Sequence, residues 1–99
     1  MAKDMAMTRR VIVEGLVQGV GYRAFTRRAA LRLRISGWAR NRADGTVEAV
    51  LVGAPADIEA LLSEMRRGPR GAQVSAVRIV LGVAYDDPPA AGFVIRPSA

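Results

Sequence analysis

Apolar residues follow two different periods along this chain. Val11 and Val13 alternate with Ile12 and Glu14, which predicts a β-strand because successive side chains of a strand point to opposite faces. Elsewhere apolar residues recur three or four positions apart, which predicts amphipathic helices. The predicted buried stripes are Tyr22, Phe25, Ala29 and Leu33 in a first helix and Ile58, Leu61, Leu62 and Met65 in a second.

The whole pattern predicts five strands and two helices. The predicted strands are 9–17, 38–42, 46–52, 73–81 and 93–96, and the predicted helices are 22–34 and 55–67. Ala43-Asp44-Gly45 predicts a hairpin turn between the second and third strands. In the third strand Val47 and Ala49 alternate with Glu48 and Val50, as expected of a sheet with one covered face.

This order of elements is that of an α+β, ferredoxin-like βαββαβ sandwich, an antiparallel sheet with two helices on one face, plus a short C-terminal strand. Right-handed crossovers predict the strand order 4-1-3-2 and leave open which edge the last strand joins. We expect residues 9–99 to form a single domain and residues 1–8 to form a flexible leader. Asp86-Asp87-Pro88-Pro89 predicts a solvated loop.

Glycines mark the segment between the first strand and the first helix, Gly15 to Arg23. Gly19 and Gly21 tolerate backbone angles that turn N–H groups inward, and the helix that follows adds its positive N-terminal dipole. Arg23 in the first helical turn can hold two phosphate oxygens at once. The segment lacks the pattern of a Walker A loop or of a dinucleotide fingerprint. Glycine spacing alone therefore leaves two interpretations open, an anion-binding loop and an ordinary turn beside a solvated arginine.

Charge and composition narrow the class of protein. The chain has 99 residues, a net charge of +6 and 51% hydrophobic residues, which is typical of one ordered domain with a basic surface. Such a surface either attracts anionic ligands or serves solubility. No apolar run approaches the roughly 20 residues of a membrane span, and Met1 to Thr8 lacks a hydrophobic signal core. We expect a cytoplasmic monomer that does not bind membranes.

The chain contains no cysteine and no histidine. Thiolate nucleophiles, zinc–thiolate sites and a histidine general base are therefore excluded. Its nine acidic residues form no evident pair of converging carboxylates, which disfavours glycosidase and two-metal mechanisms. We expect no cofactor and no bound metal.

Two further polar residues are candidates for the site. Asn41, near the end of the second predicted strand, has an amide that can hold a water molecule without titrating, although an asparagine beside a turn also serves the turn itself. Thr26 can hydrogen-bond into the glycine loop, or it can bond to a carbonyl of the preceding helical turn, as helical threonines do.

These residues resemble the acylphosphatases, small enzymes that hydrolyse acyl phosphates. The stretch from Gly15 to Arg23, with Thr26, is similar to the phosphate loop of the family, and Gly37-Trp38-Ala39-Arg40-Asn41 followed by Asp44-Gly45-Thr46-Val47-Glu48 is similar to its second motif. Gly68-Pro69, Ala72, Val74 and the terminal Phe93-Val94-Ile95-Arg96 also fit the family pattern. The resemblance covers about residues 9–96.

The resemblance implies roles for particular residues. Arg23 would bind the phosphoryl group together with the loop amides of Gln18, Gly19, Val20, Gly21 and Tyr22, and Asn41 would orient the attacking water. The substrate would be a small acyl phosphate and a product would be inorganic phosphate. Arg34 departs from the family, which usually has a helix-ending glycine there. If that position is left-handed, arginine costs roughly 1 kcal/mol of stability.

Two alternatives belong to other classes. A basic ferredoxin-like sheet can present aromatic residues to single-stranded nucleic acid, but the aromatic residues here are scattered and form no RNP1-like cluster. A phosphate-metabolite binding module without turnover is the second alternative. A hydrolysis assay distinguishes it from the enzyme.

Overall fold

Seven elements follow one another in the order that the apolar pattern predicts. The computed structural model describes residues 6–81 and 92–99. The strands are β1 (Met7–Leu16), β2 (Ser36–Asn41), β3 (Val47–Gly53), β4 (Gln73–Val80) and β5 (Phe93–Ile95), and the helices are α1 (Tyr22–Arg32) and α2 (Pro55–Arg67). Residues 1–5 of the predicted leader and the predicted loop at Asp86-Asp87-Pro88-Pro89 lie outside the described residues. Met7 and Thr8, the last two residues of that leader, belong to β1.

The strands form one sheet in the order β4-β1-β3-β2-β5. This confirms the predicted order of the first four strands, which pair antiparallel with their neighbours. The last strand, whose edge the sequence left open, pairs with β2, and the pairing is parallel, with Gly37 opposite Phe93 and Ala39 opposite Ile95. Because β5 runs in the same direction as β2, it carries the end of the chain toward Asn41.

One face of the sheet packs against both helices. Val11 and Val13 of β1 and Leu51 of β3 are buried there, and the predicted stripe of α2 is confirmed because all four of its residues are buried. In α1 the buried residues are Tyr22, Thr26, Ala29 and Ala30. No helix in the described part of the chain is both long and apolar enough to cross a membrane.

The centre of the opposite face of the sheet is buried as well, so the expectation of only one covered face is wrong for Glu48 and Val50. Glu48 and Val50 of β3 are 2% and 0% exposed, and Trp38 beside them is 1% exposed. Long arginine side chains from neighbouring strands provide part of this cover. The guanidinium groups of Arg40 and Arg96 lie over the Trp38 ring, 5.1 and 4.6 Å from its centroid, where a cation is attracted by the ring.

Two arginines enclose the buried carboxylate of Glu48. Arg10 Nε donates to Oε2 over 2.6 Å, and Arg40 Nε donates to Oε1 over 2.7 Å. Burial alone would raise the pKa of Glu48, but these hydrogen bonds and the two positive charges hold the pKa below its ordinary value. The sequence pattern alone places Glu48 on a solvated face, whereas the register places its carboxylate between two cations.

The end of α1 comes two residues earlier than predicted. Arg34 N donates to Leu31 O over 3.3 Å, and Ile35 N donates to Ala30 O over 2.8 Å, which is the Schellman pattern of a helix C-terminus. That pattern places Arg34 at the left-handed position, with φ of +61°. The strain expected at Arg34 if the position is left-handed is therefore present.

Candidate active site

The glycine loop between β1 and α1 leads into a helix whose N-terminus has no side-chain cap in the described part of the chain. Gly19 and Gly21 both have φ of +77°, which an L-residue adopts only under strain. Gly21 is the N-cap residue that precedes α1, and no side chain of the described residues caps this end of the helix. The first helical hydrogen bond runs from Phe25 N to Gly21 O over 3.0 Å. The main-chain N–H groups that precede Phe25 at the start of α1 thus have no acceptor within the helix and are available to an anion.

A cavity of about 160 Å³ opens where this loop meets the sheet. It lies between the glycine loop, the first turn of α1, the end of β2 and the strand β5. Its lining residues are Val17, Gly19, Gly21, Tyr22, Arg23, Ala24, Asn41 and Ile95. Arg23 is the one charged residue among them, so the guanidinium group and the helix N-terminus give the cavity a positive field.

Asn41 brings an unpaired acceptor to this cavity. Its Oδ1 atom is buried and accepts no hydrogen bond from any described residue. Leaving such an atom unpaired costs about 1–3 kcal/mol, so the oxygen is a candidate for contact with a ligand or a water molecule. A carboxamide oxygen accepts a hydrogen bond from an O–H group of water, which fits the role implied by the family resemblance.

The hairpin turn does not use the side chain of Asn41. Asp44 Oδ1 accepts from Thr46 N over 3.0 Å and from Thr46 Oγ1 over 2.6 Å, and Gly45 N donates to Arg42 O over 3.1 Å. The hydrogen bonds from Thr46 also lower the pKa of Asp44. Asp44 therefore performs the turn function that the sequence alone left open for Asn41.

Gln18 connects the glycine loop to the same hairpin. Its Nε2 atom donates to Arg42 O and to Thr46 O, each over 2.8 Å. Gln18 and Val20 are not among the residues that line the cavity, whereas Gly19, Gly21, Tyr22 and Arg23 are. The family resemblance implies a role only for the main-chain amide of Gln18. Its side-chain contact was missed because the acceptors are main-chain oxygens distant in sequence.

Tyr22 and Thr26 have structural contacts. The Tyr22 hydroxyl donates to Met65 O over 2.8 Å in the core, and burial raises the pKa of this hydroxyl. Thr26 Oγ1 donates to Tyr22 O over 3.0 Å, so its hydroxyl serves the preceding helical turn rather than the loop. Arg23 and Asn41 are consequently the polar side chains of the lining that keep groups available to a ligand.

Three comparisons with known proteins point to one family. The family model described as Acylphosphatase matches residues 9–95. An acylphosphatase from Rhizobium etli is 54% identical over 68 residues, which span 69% of this chain and 72% of that protein. One from Rhodospirillum rubrum is 47% identical over 88 residues, which span 89% and 93%. The crystal structure of acylphosphatase from Bacillus subtilis matches with a TM-score of 0.80 at 28% identity, covering 93% of this chain and 99% of that one.

The fold and these matches together define a small hydrolytic enzyme. The chain belongs to the acylphosphatase family. The resemblance drawn from the two sequence motifs is confirmed, as is the ferredoxin-like arrangement of the strands and helices.

Proposed function

We propose that this chain hydrolyses the carboxyl–phosphate bond of acyl phosphates in the cavity between the glycine loop and β5. The observation that carries the proposal is the meeting of Arg23 and Asn41 in one cavity, where Asn41 Oδ1 has no partner among the described residues. Arg23 and the N–H groups at the start of α1 hold the phosphoryl oxygens. Asn41 orients the water molecule.

In the proposed reaction the water oxygen attacks phosphorus in line with the bond to the acyl oxygen. A new P–O bond forms as the old one breaks, and the carboxylate departs with the bonding electron pair. A proton of the attacking water passes to the phosphate. Because a carboxylate is stable without a proton, the site needs no general acid, and positioning with charge stabilisation supplies the catalysis.

The alternatives have less support. Trp38 lies on the face of the sheet opposite the helices, but it is 1% exposed beneath Arg40 and Arg96, so it does not offer a base-stacking surface of the kind that single-strand binding requires. A binding module without turnover fits the same cavity. The hydrolysis assay separates it from the enzyme.

The test is an assay with acetyl phosphate at low protein concentration, in the presence of EDTA. The cavity lining contains no carboxylate, and the described residues hold no group of three or more possible metal ligands, so we expect turnover to survive the chelator. An alkyl phosphate monoester serves as the comparison substrate. Its alkoxide leaving group needs a general acid worth roughly 10²–10⁴-fold, so we expect negligible hydrolysis. The proposal fails if acetyl phosphate is not hydrolysed, and the metal-free mechanism fails if a divalent ion must be restored.

A further inference from the structure

The wall of the cavity beyond Arg23 and Asn41 is apolar. Val17, Ala24 and Ile95 line it, and the remaining polar side chain of the lining, Tyr22, directs its hydroxyl to Met65 O in the core. We propose that Ile95, together with Ala24, contacts the acyl group of the substrate, and that the enzyme prefers acyl phosphates whose acyl group is uncharged and apolar. This inference rests on the proposed function and names the substrate class of that same site.

Ile95 is unusual for its position in the sheet. Phe93, two residues earlier on the same face of β5, is 2% exposed and belongs to the core, whereas Ile95 is 41% exposed. The difference arises because Ile95 is the last residue of β5 and lines the cavity instead of packing in the core. Contact between this side chain and an apolar ligand stabilises the complex by about 0.8 kcal/mol for each methylene group removed from water.

The backbone around Ile95 is held in place on both sides. On one side, Arg27 Nε of α1 donates to Phe93 O over 3.0 Å. On the other side, Arg96 N donates to Ala39 O of β2 over 2.9 Å. Ile95 itself lies opposite Ala39 in the parallel ladder. The side chain is therefore presented to the cavity by a fixed strand, as selection between acyl groups requires.

The size of the cavity limits what it can enclose. Its volume of about 160 Å³ is well above the roughly 10–15 Å³ that a cavity needs to hold one water molecule, so it can hold a group larger than water. The phosphoryl group and the attacking water fill the end near Arg23 and Asn41. A short acyl chain fills the remainder, and a longer chain extends over Ile95.

A charged acyl group meets a different environment. Arg23, the one cation of the lining, is engaged by the phosphoryl group. A second carboxylate on the acyl chain then faces Ala24 and Ile95, whose side chains have no hydrogen-bond donors. Because Ile95 is 41% exposed, such a carboxylate keeps part of its hydration, but it gains no hydrogen bond from these side chains and loses the apolar contact that a methyl group makes there. Succinyl phosphate should therefore be a poorer substrate than butyryl phosphate, although the two have the same number of carbon atoms.

The experiment compares kcat/KM for acetyl, butyryl and succinyl phosphate in the wild type, Ile95→Ala and Val94→Ala. Val94 is the matched control because it is 44% exposed on the same strand and points to the opposite face of the sheet. We expect Ile95→Ala to lower the preference for butyryl over acetyl phosphate by about 3- to 10-fold, which is less than the roughly 10- to 200-fold of an enclosed apolar contact because Ile95 is 41% exposed. Inhibition by inorganic phosphate should not change, and Val94→Ala should keep the wild-type preference.

A second variant adds a gain of function. Ile95→Lys should raise the kcat/KM for succinyl phosphate relative to butyryl phosphate, because an ammonium group then faces the second carboxylate. If acetyl phosphate is hydrolysed but neither variant changes the ratios, the acyl contact is wrong and the proposed function stands. If the wild type hydrolyses no acyl phosphate, the proposed function is wrong and this inference is wrong with it.

Discussion

Gln18 donates from its side-chain amide to the main-chain oxygen of Arg42 over 2.8 Å, which fixes the glycine loop to the residue that follows Asn41. The two proposed site residues are carried by separate elements, Arg23 by α1 and Asn41 by β2. The Gln18 side chain therefore links the element that carries Arg23 to the end of the strand that carries Asn41, the residues proposed to hold the phosphoryl group and the water.

We expect Gln18→Ala and Gln18→Glu to lower kcat by about 10-fold, since a displacement of about 1 Å at a site costs up to 10²-fold. Glutamate keeps the size of the side chain but loses both donated hydrogen bonds. Steady-state kinetics on folded variants measures the effect. Gln73→Ala, at an exposed glutamine of β4, is the control and should keep the wild-type kcat. Normal turnover in Gln18→Glu would show that the bridge does not position Asn41.

Arg23→Lys should be nearly as damaging as Arg23→Ala, because the proposed role of Arg23 needs a planar group that binds two oxygens rather than a point charge. Arg28 lies on the exposed side of the same helix, so Arg28→Lys is the control for a change of cation. The measurement is kcat/KM with acetyl phosphate, with folding verified by circular dichroism. Near-normal activity of Arg23→Lys would contradict the role of two simultaneous hydrogen bonds.

Arg34→Gly should stabilise the protein by about 1 kcal/mol, because glycine removes the strain of the left-handed conformation at φ of +61°. Arg28→Gly, in the helix interior, should instead destabilise it by about 1 kcal/mol. Urea unfolding gives both free energies. Equal destabilisation by the two substitutions would mean that Arg34 is not strained.

Glu48 should make stability depend on pH. Its pKa is held below the ordinary value in the folded protein, so its stabilising contribution is complete above the unfolded pKa of about 4.3 and is lost as pH falls through the lower folded value. Glu48→Gln should cost about 2–3 kcal/mol at pH 7, because two partly buried guanidinium groups lose their counter-ion. This loss of unfolding free energy should become smaller below pH 4, because the carboxylate of the wild type is then progressively protonated as well.

Urea unfolding at pH 7, 5, 4 and 3 measures this dependence for the wild type and Glu48→Gln. Glu59→Gln, at an exposed glutamate of α2, is the control for removal of one carboxyl group. A destabilisation by Glu48→Gln that stays constant across these pH values would show that the charge of Glu48 is not the source of its contribution.

The sequence could predict the features that depend on local pattern and chain direction. The stripe of α2 follows from its periodicity, and the order of β4, β1, β3 and β2 follows from right-handed crossovers. The edge taken by β5 does not follow, because no rule of handedness fixes the place of so short a final strand. Because the pairing of β5 with β2 brings Ile95 to the cavity, the apolar wall of the site could not be predicted from the sequence either.

Glu48 shows a second limit of the sequence pattern. A single glutamate in an alternating strand has the appearance of a solvated residue, and its burial depends on Arg10 and Arg40, which the register brings from two other strands. The family resemblance, and not the glycine spacing, supplied the roles of Arg23 and Asn41. The structure adds that both residues line one cavity, and their catalytic roles stay predictions.

The central claim is that Arg23 holds the phosphoryl group while Asn41 holds the water, and Asn41→Ala tests it most directly. We expect kcat for acetyl phosphate to fall by roughly 100-fold or more, as when an oxyanion-hole donor is removed. The affinity for inorganic phosphate, measured by calorimetry on the same preparation, should stay close to that of the wild type. If Asn41→Ala instead lost phosphate affinity and kept its turnover at saturating substrate, the assignment of Asn41 to the water would be contradicted.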